Sequence, residues 1–248
     1  MNMKPDLRVF VDANELSLRA AEAAVRLIND SLRAHGRFSV ALAGGNTPRS
    51  LYRLLASQFR GQIPWTKVHV FWGDERYVPL ADSQSNYRMA RETLLDAVPC
   101  PVGNVHPMPT ELPDPDLAAR EYEKTLRNYF SEDWPRFDLV LLGLGEEGHT
   151  ASLFPGSPAF NETQRWVVAV NAPAKPALRL TLTLPALTAA ANIYFLVAGS
   201  NKAEALHHVL TGSPDAKNYP ASGIRRAKGT VIWWLDRAAA ALVMESAA

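Results

Sequence analysis

Apolar residues along the chain fall into two alternating patterns. Short, nearly continuous apolar runs at residues 7–11, 38–43, 68–72, 139–142, 166–170, 178–182, 193–198 and 231–235 predict strands. Between them lie stretches with apolar positions at three- and four-residue steps. Over residues 14–34, Ala21, Val25, Ile28 and Leu32 recur in this way, and Gly36 stands as a stop signal. Helices are likewise predicted over residues 48–59, 87–95, 116–129 and 201–210, and from Asp236 onward. Strand–helix alternation of this kind implies parallel pairing. The expected fold is α/β: a single domain over residues 1–248, with a mostly parallel, Rossmann-like sheet flanked by helices on both faces. The Pro-rich residues 98–115 form the longest irregular stretch and read as a loop excursion within that domain.

Composition narrows the partners. Lys plus Arg is 26 and Asp plus Glu is 25, so no nucleic acid or anionic membrane is expected to bind, although a local basic pocket for a small anion remains compatible. The one cysteine, Cys100, allows no intrachain disulfide and fits a reducing compartment. No apolar run has the length of a signal peptide core or a membrane span, and the chain reads as cytoplasmic. A monomer or weak homodimer is expected.

The strand at 139–142 runs into Gly143-Leu144-Gly145-Glu146-Glu147-Gly148-His149, a literal G-x-G-x-x-G. A dinucleotide turn needs a helix N-terminus open to a pyrophosphate. Here Glu146 and Glu147 would repel one, and Pro155-Gly156 leave little room for a long helix. No nicotinamide or flavin is therefore expected. What remains is a flexible loop at a strand's carboxyl end that carries carboxylates and a histidine, the side chain best matched to proton transfer near neutral pH. The plainer alternative is a glycine-rich turn with a surface histidine.

Four further segments are candidates. After the strand at 38–43 comes Gly44-Gly45-Asn46-Thr47-Pro48, with Thr47 suited to an N-cap and Pro48 to the first helical position. Capping accounts for Thr47 and Pro48, whereas paired glycines also suit backbone amides facing an anion. Gly73-Asp74-Glu75-Arg76 is a second acidic turn at a strand end, either part of the same rim or a surface turn closed by a local ion pair. Arg179 and Thr181 alternate with Leu178, Leu180 and Leu182, a pattern that an edge strand with solvated polar residues also produces. Lys202 falls in the first turn of a helix, where a cation opposes the helix dipole unless a phosphate bridges the two. His207 and His208 are adjacent and so face different ways, no ligand spacing appears elsewhere, and no metal is expected.

Taken together, AGGNTP at 43–48, WGDERYVP at 72–79 with Ser85-Asn86, GLGEEGHTASLFPG at 143–156, RLTLTLPAL at 179–187, Gly199 to Lys202 and YPAS at 219–222 resemble the 6-phosphogluconolactonase family over nearly the whole chain. That family belongs with the sugar-phosphate deaminases and isomerases. One departure is Glu147, where the family usually has Asp. The resemblance implies cofactor-free hydrolysis of a sugar phosphate lactone. It implies His149 as general base and then acid. Asp74 and Glu147 would orient water, the sugar hydroxyls or His149, and Arg76 would either face the oxyanion or brace Asp74. Gly45, Asn46, Thr47, Arg179 and Lys202 would bind the phosphate, with Arg225 a further candidate. A deaminase-like isomerase would carry a glutamate five residues after the histidine, where this chain has Phe154. A non-catalytic sugar-phosphate sensor would keep the phosphate residues without needing His149.

Overall fold

A computed structural model of the chain describes residues 5–211 and 217–245. In chain order the strands are β1 (Asp6–Phe10), β2 (Phe38–Leu42), β3 (Val68–Trp72), β4 (Asp74–Arg76), β5 (Leu139–Leu142), β6 (Val167–Asn171), β7 (Leu178–Leu182), β8 (Asn192–Val197) and β9 (Thr230–Asp236). The α-helices are α1 (Ala13–His35), α2 (Asn46–Ala56), α3 (Asn86–Thr93), α4 (Pro115–Tyr129), α5 (Leu184–Thr188), α6 (Ala203–Thr211) and α7 (Arg237–Glu245). Local chemistry explains their ends. The Asp12 carboxylate accepts the amides of Asn14 and Glu15 at the start of α1, and Gly36 closes it in the left-handed conformation. Pro115 opens α4 behind the Asp114 cap.

Six strands form a parallel sheet in the order β1-β9-β8-β5-β2-β3. Every residue of β2 and β5 is buried, as expected for strands covered on both faces. The order reverses between β2 and β5, and those strands pair only at Val40–Leu139 and Ala41–Val140 before they part. Such a switch point opens a crevice at the carboxyl ends of the strands.

Not all pairing is parallel. β4, β7 and β6 make a separate antiparallel sheet with β7 in the middle. The acidic turn expected at Asp74-Glu75-Arg76 is therefore a strand, and Arg179 and Thr181 sit on a central strand, not an edge. Gly73 is the joint between the sheets. Its amide donates to the Leu42 carbonyl and its own carbonyl accepts from the Leu182 amide. One continuous hydrophobic core serves both sheets, with Trp72, Trp166 and Trp234 among its largest side chains.

Where strands part or end, two buried phenols supply the missing partners. The Tyr52 hydroxyl, from α2, accepts the Ala43 amide at 3.0 Å and donates to the Ala43 carbonyl at 2.8 Å. From α4, the Tyr122 hydroxyl accepts the Trp72 amide at 2.9 Å and donates to the Trp72 carbonyl at 3.2 Å. The remainder of the free edge of β3 is met by Val105 and by the His106 amide, which donates to Val70. Tyr52→Phe should leave a buried donor and a buried acceptor unpaired and cost about 1–3 kcal/mol. Urea denaturation of the variant checks this, and a loss below about 0.5 kcal/mol would mean that water or a rearranged strand end satisfies Ala43.

Candidate active site

A cleft of about 480 Å³ opens at the carboxyl ends of β2 and β5. Three loops build it. The turn after β2 contributes Gly44 to Pro48, the turn after β5 contributes Gly143, Gly145 and His149, and the turn after β8 contributes Asn201 and Lys202. The small sheet supplies the fourth wall, with Asp74, Arg76 and Arg179. Eight of the ten residues singled out in the sequence thus line one space: His149, Asp74, Arg76, Gly45, Asn46, Thr47, Arg179 and Lys202. Glu147 lies behind His149. Arg225 is not among the lining residues, and its guanidinium donates to the Val209 carbonyl.

The turn after β2 differs in detail from the expected cap. Gly45, with φ of 104°, occupies the N-cap position, so Thr47 and Pro48 fall inside the first turn of α2. No acidic residue stands in that turn, and the first amides of the helix face the cleft without a side-chain cap. Gly44 is required by close packing, because a Cβ there would lie 2.1 Å from Oδ1 of Asn86. Asn86 also lines the cleft and donates to the Asp74 carbonyl at 3.0 Å.

His149 is fixed by its own loop. The Gly145 amide donates to the His149 carbonyl at 2.8 Å, and a Cβ on Gly145 would fall 1.9 Å from Nδ1. Gly148 has φ of 80° and packs on Tyr219. The ring lies 4.4 Å from that of Phe154. Nδ1 is shut off from solvent and sits 3.0 Å from Glu147 Oε1, off the line of a formed hydrogen bond. Nε2 is thus the nitrogen left to meet a molecule in the cleft. Burial pulls the imidazole pKa below its ordinary value, and the nearby Glu147 and Asp74 carboxylates oppose that shift only in part. The ring is accordingly neutral at pH 7.

On the small sheet, side chains alternate between faces. Asp74 and Arg76 face the cleft, and Glu75 points the other way into α3. The Glu75 carboxylate accepts the amides of Arg76, Asn86 and Tyr87 and the hydroxyl of Ser85, which moors β4 to the start of α3. Nothing in the spacing distinguished Glu75 from its neighbours, and its role follows only from the fold. Ser152, fully buried, donates to Asp74 Oδ2 at 2.7 Å, while its amide donates to Thr181 Oγ1 at 3.2 Å. Asp74 is therefore held by a hydroxyl that the sequence pattern did not single out.

Arg76 and Arg179 are direct cross-strand partners. Like charges in that relation repel. Arg76 gives Nη1 to the Gln84 carbonyl at 2.7 Å, and Arg179 gives Nε to the Pro176 carbonyl at 3.2 Å. Among the described residues, neither is paired with a carboxylate within ion-pair distance. Two guanidinium groups side by side, one of them only 8% exposed, with Lys202 on the same cleft, make a cradle for an anion. Among the described residues no cluster of three or more His, Cys, Asp or Glu side chains is placed to hold a metal ion, and no helix is long and apolar enough to cross a membrane.

Residues 11–233 match the family described as glucosamine-6-phosphate isomerases/6-phosphogluconolactonase. The chain is 43% identical to a 6-phosphogluconolactonase of Synechocystis over 96% of this chain and 98% of the relative, and 40% identical to one of Nostoc with the same coverage. Among solved structures, a 6-phosphogluconolactonase from Trypanosoma cruzi superposes with a TM-score of 0.87 at 32% identity, covering 97% of each chain. The chain belongs to the glucosamine-6-phosphate isomerase/6-phosphogluconolactonase family.

Proposed function

We propose that this cleft hydrolyses 6-phospho-D-glucono-1,5-lactone to 6-phospho-D-gluconate, the second step of the oxidative pentose phosphate pathway, without a cofactor. The observation that carries the reading is the juxtaposition in one cleft of a partly buried His149 with Lys202 and the Arg76–Arg179 pair, neither of which meets a carboxylate within ion-pair distance among the described residues. The cations suit a phosphate, and the imidazole suits proton transfer. Resemblance to curated 6-phosphogluconolactonases along almost the whole chain supports the same assignment.

In this mechanism the phosphate lies against Arg179, Lys202 and the amides at the start of α2. His149 Nε2 takes a proton from water as the water oxygen bonds to the lactone carbonyl carbon. Negative charge grows on the carbonyl oxygen, and in this mechanism Arg76 faces it. The tetrahedral intermediate then collapses. The bond from carbon to ring oxygen breaks, and the imidazolium returns its proton to that oxygen as it leaves. The new carboxylic acid ionises, so water has been split between the two ends of the opened chain. Glu147 stabilises the transient imidazolium from the Nδ1 side. Asp74, pinned by Ser152, accepts from the water or a sugar hydroxyl. Phe154, packed on His149, leaves no carboxylate where a ring-opening glutamate would stand, which favours the lactone over an amino sugar. The substrate is an anion that does not cross membranes unaided, so the enzyme acts where that anion is made, which we take to be the cytoplasm.

The direct test is a pH-stat assay with freshly made lactone, corrected for spontaneous hydrolysis. The expected result is saturable turnover, with none when the phosphate-free lactone is supplied at the same concentration. A rate no higher than the spontaneous one would dismiss the proposal.

The pH profile has a defined sign. Because burial depresses the His149 pKa, protonation removes the base only below pH 6.5. The value of kcat/KM should be level between about pH 7 and 8 and fall on acidification below pH ~6.5. An acid limb centred above pH 7 would contradict a neutral buried base.

Lys202→Ala and Arg179→Ala should each raise KM roughly tenfold to a hundredfold, the loss of about 1.5–3 kcal/mol for a charge-assisted contact. Steady-state kinetics of both variants check this, and unchanged KM values would place the phosphate elsewhere.

A further inference from the structure

Glu146 stands at the tip of the turn after β5, between Gly145 and Gly148, and is largely exposed. Its Oε1 accepts a hydrogen bond from Asn201 Nδ2 at 2.7 Å and lies 3.8 Å from Lys202 Nζ. Asn201 follows Gly199 by two residues, and the absence of a Cβ on Gly199 leaves room for its Oδ1. Gly199, with φ of 101°, is in turn held by its amide, which donates to both carboxylate oxygens of Asp236. The carboxylate of Glu146 is thus held near Lys202 by a hydrogen bond from a neutral amide as well as by the ammonium group.

Resting on the proposed phosphate anchor, we infer that Glu146 is an internal counter-anion to Lys202: a positioning residue that competes with the phosphate and so weakens the hold on substrate and product alike. In the free protein the Lys202 ammonium is shared between the cleft and Glu146. A bound phosphate dianion must draw it away from a carboxylate that also bonds to Asn201 at the rim. The same carboxylate then draws Lys202 back as the product leaves. Arg76 and Arg179 have no such partner among the described residues, so the device acts on one of the three cations and leaves the others to supply affinity. An exposed ion pair is a weak interaction, which sets the size of the effect at about twofold to fivefold in affinity.

The test is Glu146→Gln, which keeps the oxygen that Asn201 contacts and removes only the charge. Calorimetric titration with 6-phosphogluconate at low ionic strength should show a Kd about twofold to fivefold tighter than the parent, while an attempted titration with gluconate should be unaffected by the substitution. In a Lys202→Ala background the same substitution should produce no tightening, because Glu146 then has no ammonium to compete for. An unchanged or weaker Kd for Glu146→Gln, in a protein where Lys202→Ala does weaken binding, would overturn the inference and leave the anchor intact. Equal tightening with and without Lys202 would also overturn it, since Glu146 would then act by plain repulsion. If Lys202→Ala itself binds as tightly as the parent, the anchor assignment fails and this inference fails with it.

Discussion

The imidazole of His149 rests on backbone that has no side chain, and the rest of the site is arranged around that contact. With a Cβ at Gly145 only 1.9 Å from Nδ1, any other residue there would expel the ring from its place. The glycine spacing that imitates a dinucleotide turn therefore has a different physical cause. Gly145 admits the histidine, and Gly148, in a left-handed conformation against Tyr219, reverses the chain so that the ring returns over the loop. Gly44 does similar work opposite, giving Asn86 its place under Asp74. Two loops that pack this closely need firm strand ends beneath them. The parting of β2 from β5 would leave Ala43 without partners, and the Tyr52 hydroxyl supplies both. Thus a core residue on a helix sets the position of the loop that faces the ligand.

Electrostatics gives the cleft its polarity. The parallel sheet presents helix starts and glycine amides, which favour an anion. The small antiparallel sheet adds Arg76 directly across from Arg179, a pairing that is unfavourable until negative charge enters. Carboxylates lie close by, with Asp74 tied to Ser152 on the same strand as Arg76, and Glu147 beside His149. A ligand that carries both a phosphate and a reactive carbonyl matches this mixture of cations, carboxylates and imidazole in one cleft.

Much of this was legible in the order of residues. The runs at β2 and β5 are apolar without alternation, which is what burial on both faces demands, and the α1 stop at Gly36 is read directly from the chain. Pairing direction in the small sheet was not legible. Alternation in β7 shows that Arg179 and Thr181 share a face, but not whether that face meets water or a ligand. Asp74-Glu75-Arg76 looked like a turn because three charged residues seldom form a buried strand. They do so here because α3 supplies amides to Glu75 on one face and the cleft takes Asp74 and Arg76 on the other. Ser152 and Asn86 stand within the motifs, but their roles were hidden for the same reason: each acts through a contact with residues distant in the chain. Thr47 was misplaced as a cap because its side-chain chemistry is right for the role, while the backbone freedom of Gly45 decides where the helix begins.

The central claim is that His149 performs the chemistry and that binding rests on other residues. His149→Asn keeps a polar side chain of similar reach that cannot serve as a base near neutral pH. Its kcat for the lactone and its affinity for 6-phosphogluconate should be measured on the same preparation. The account predicts a fall in kcat of roughly 10²–10⁴ with product affinity little changed. A kcat within about threefold of the parent would contradict it, since the loop would then be a turn that carries a histidine and nothing more.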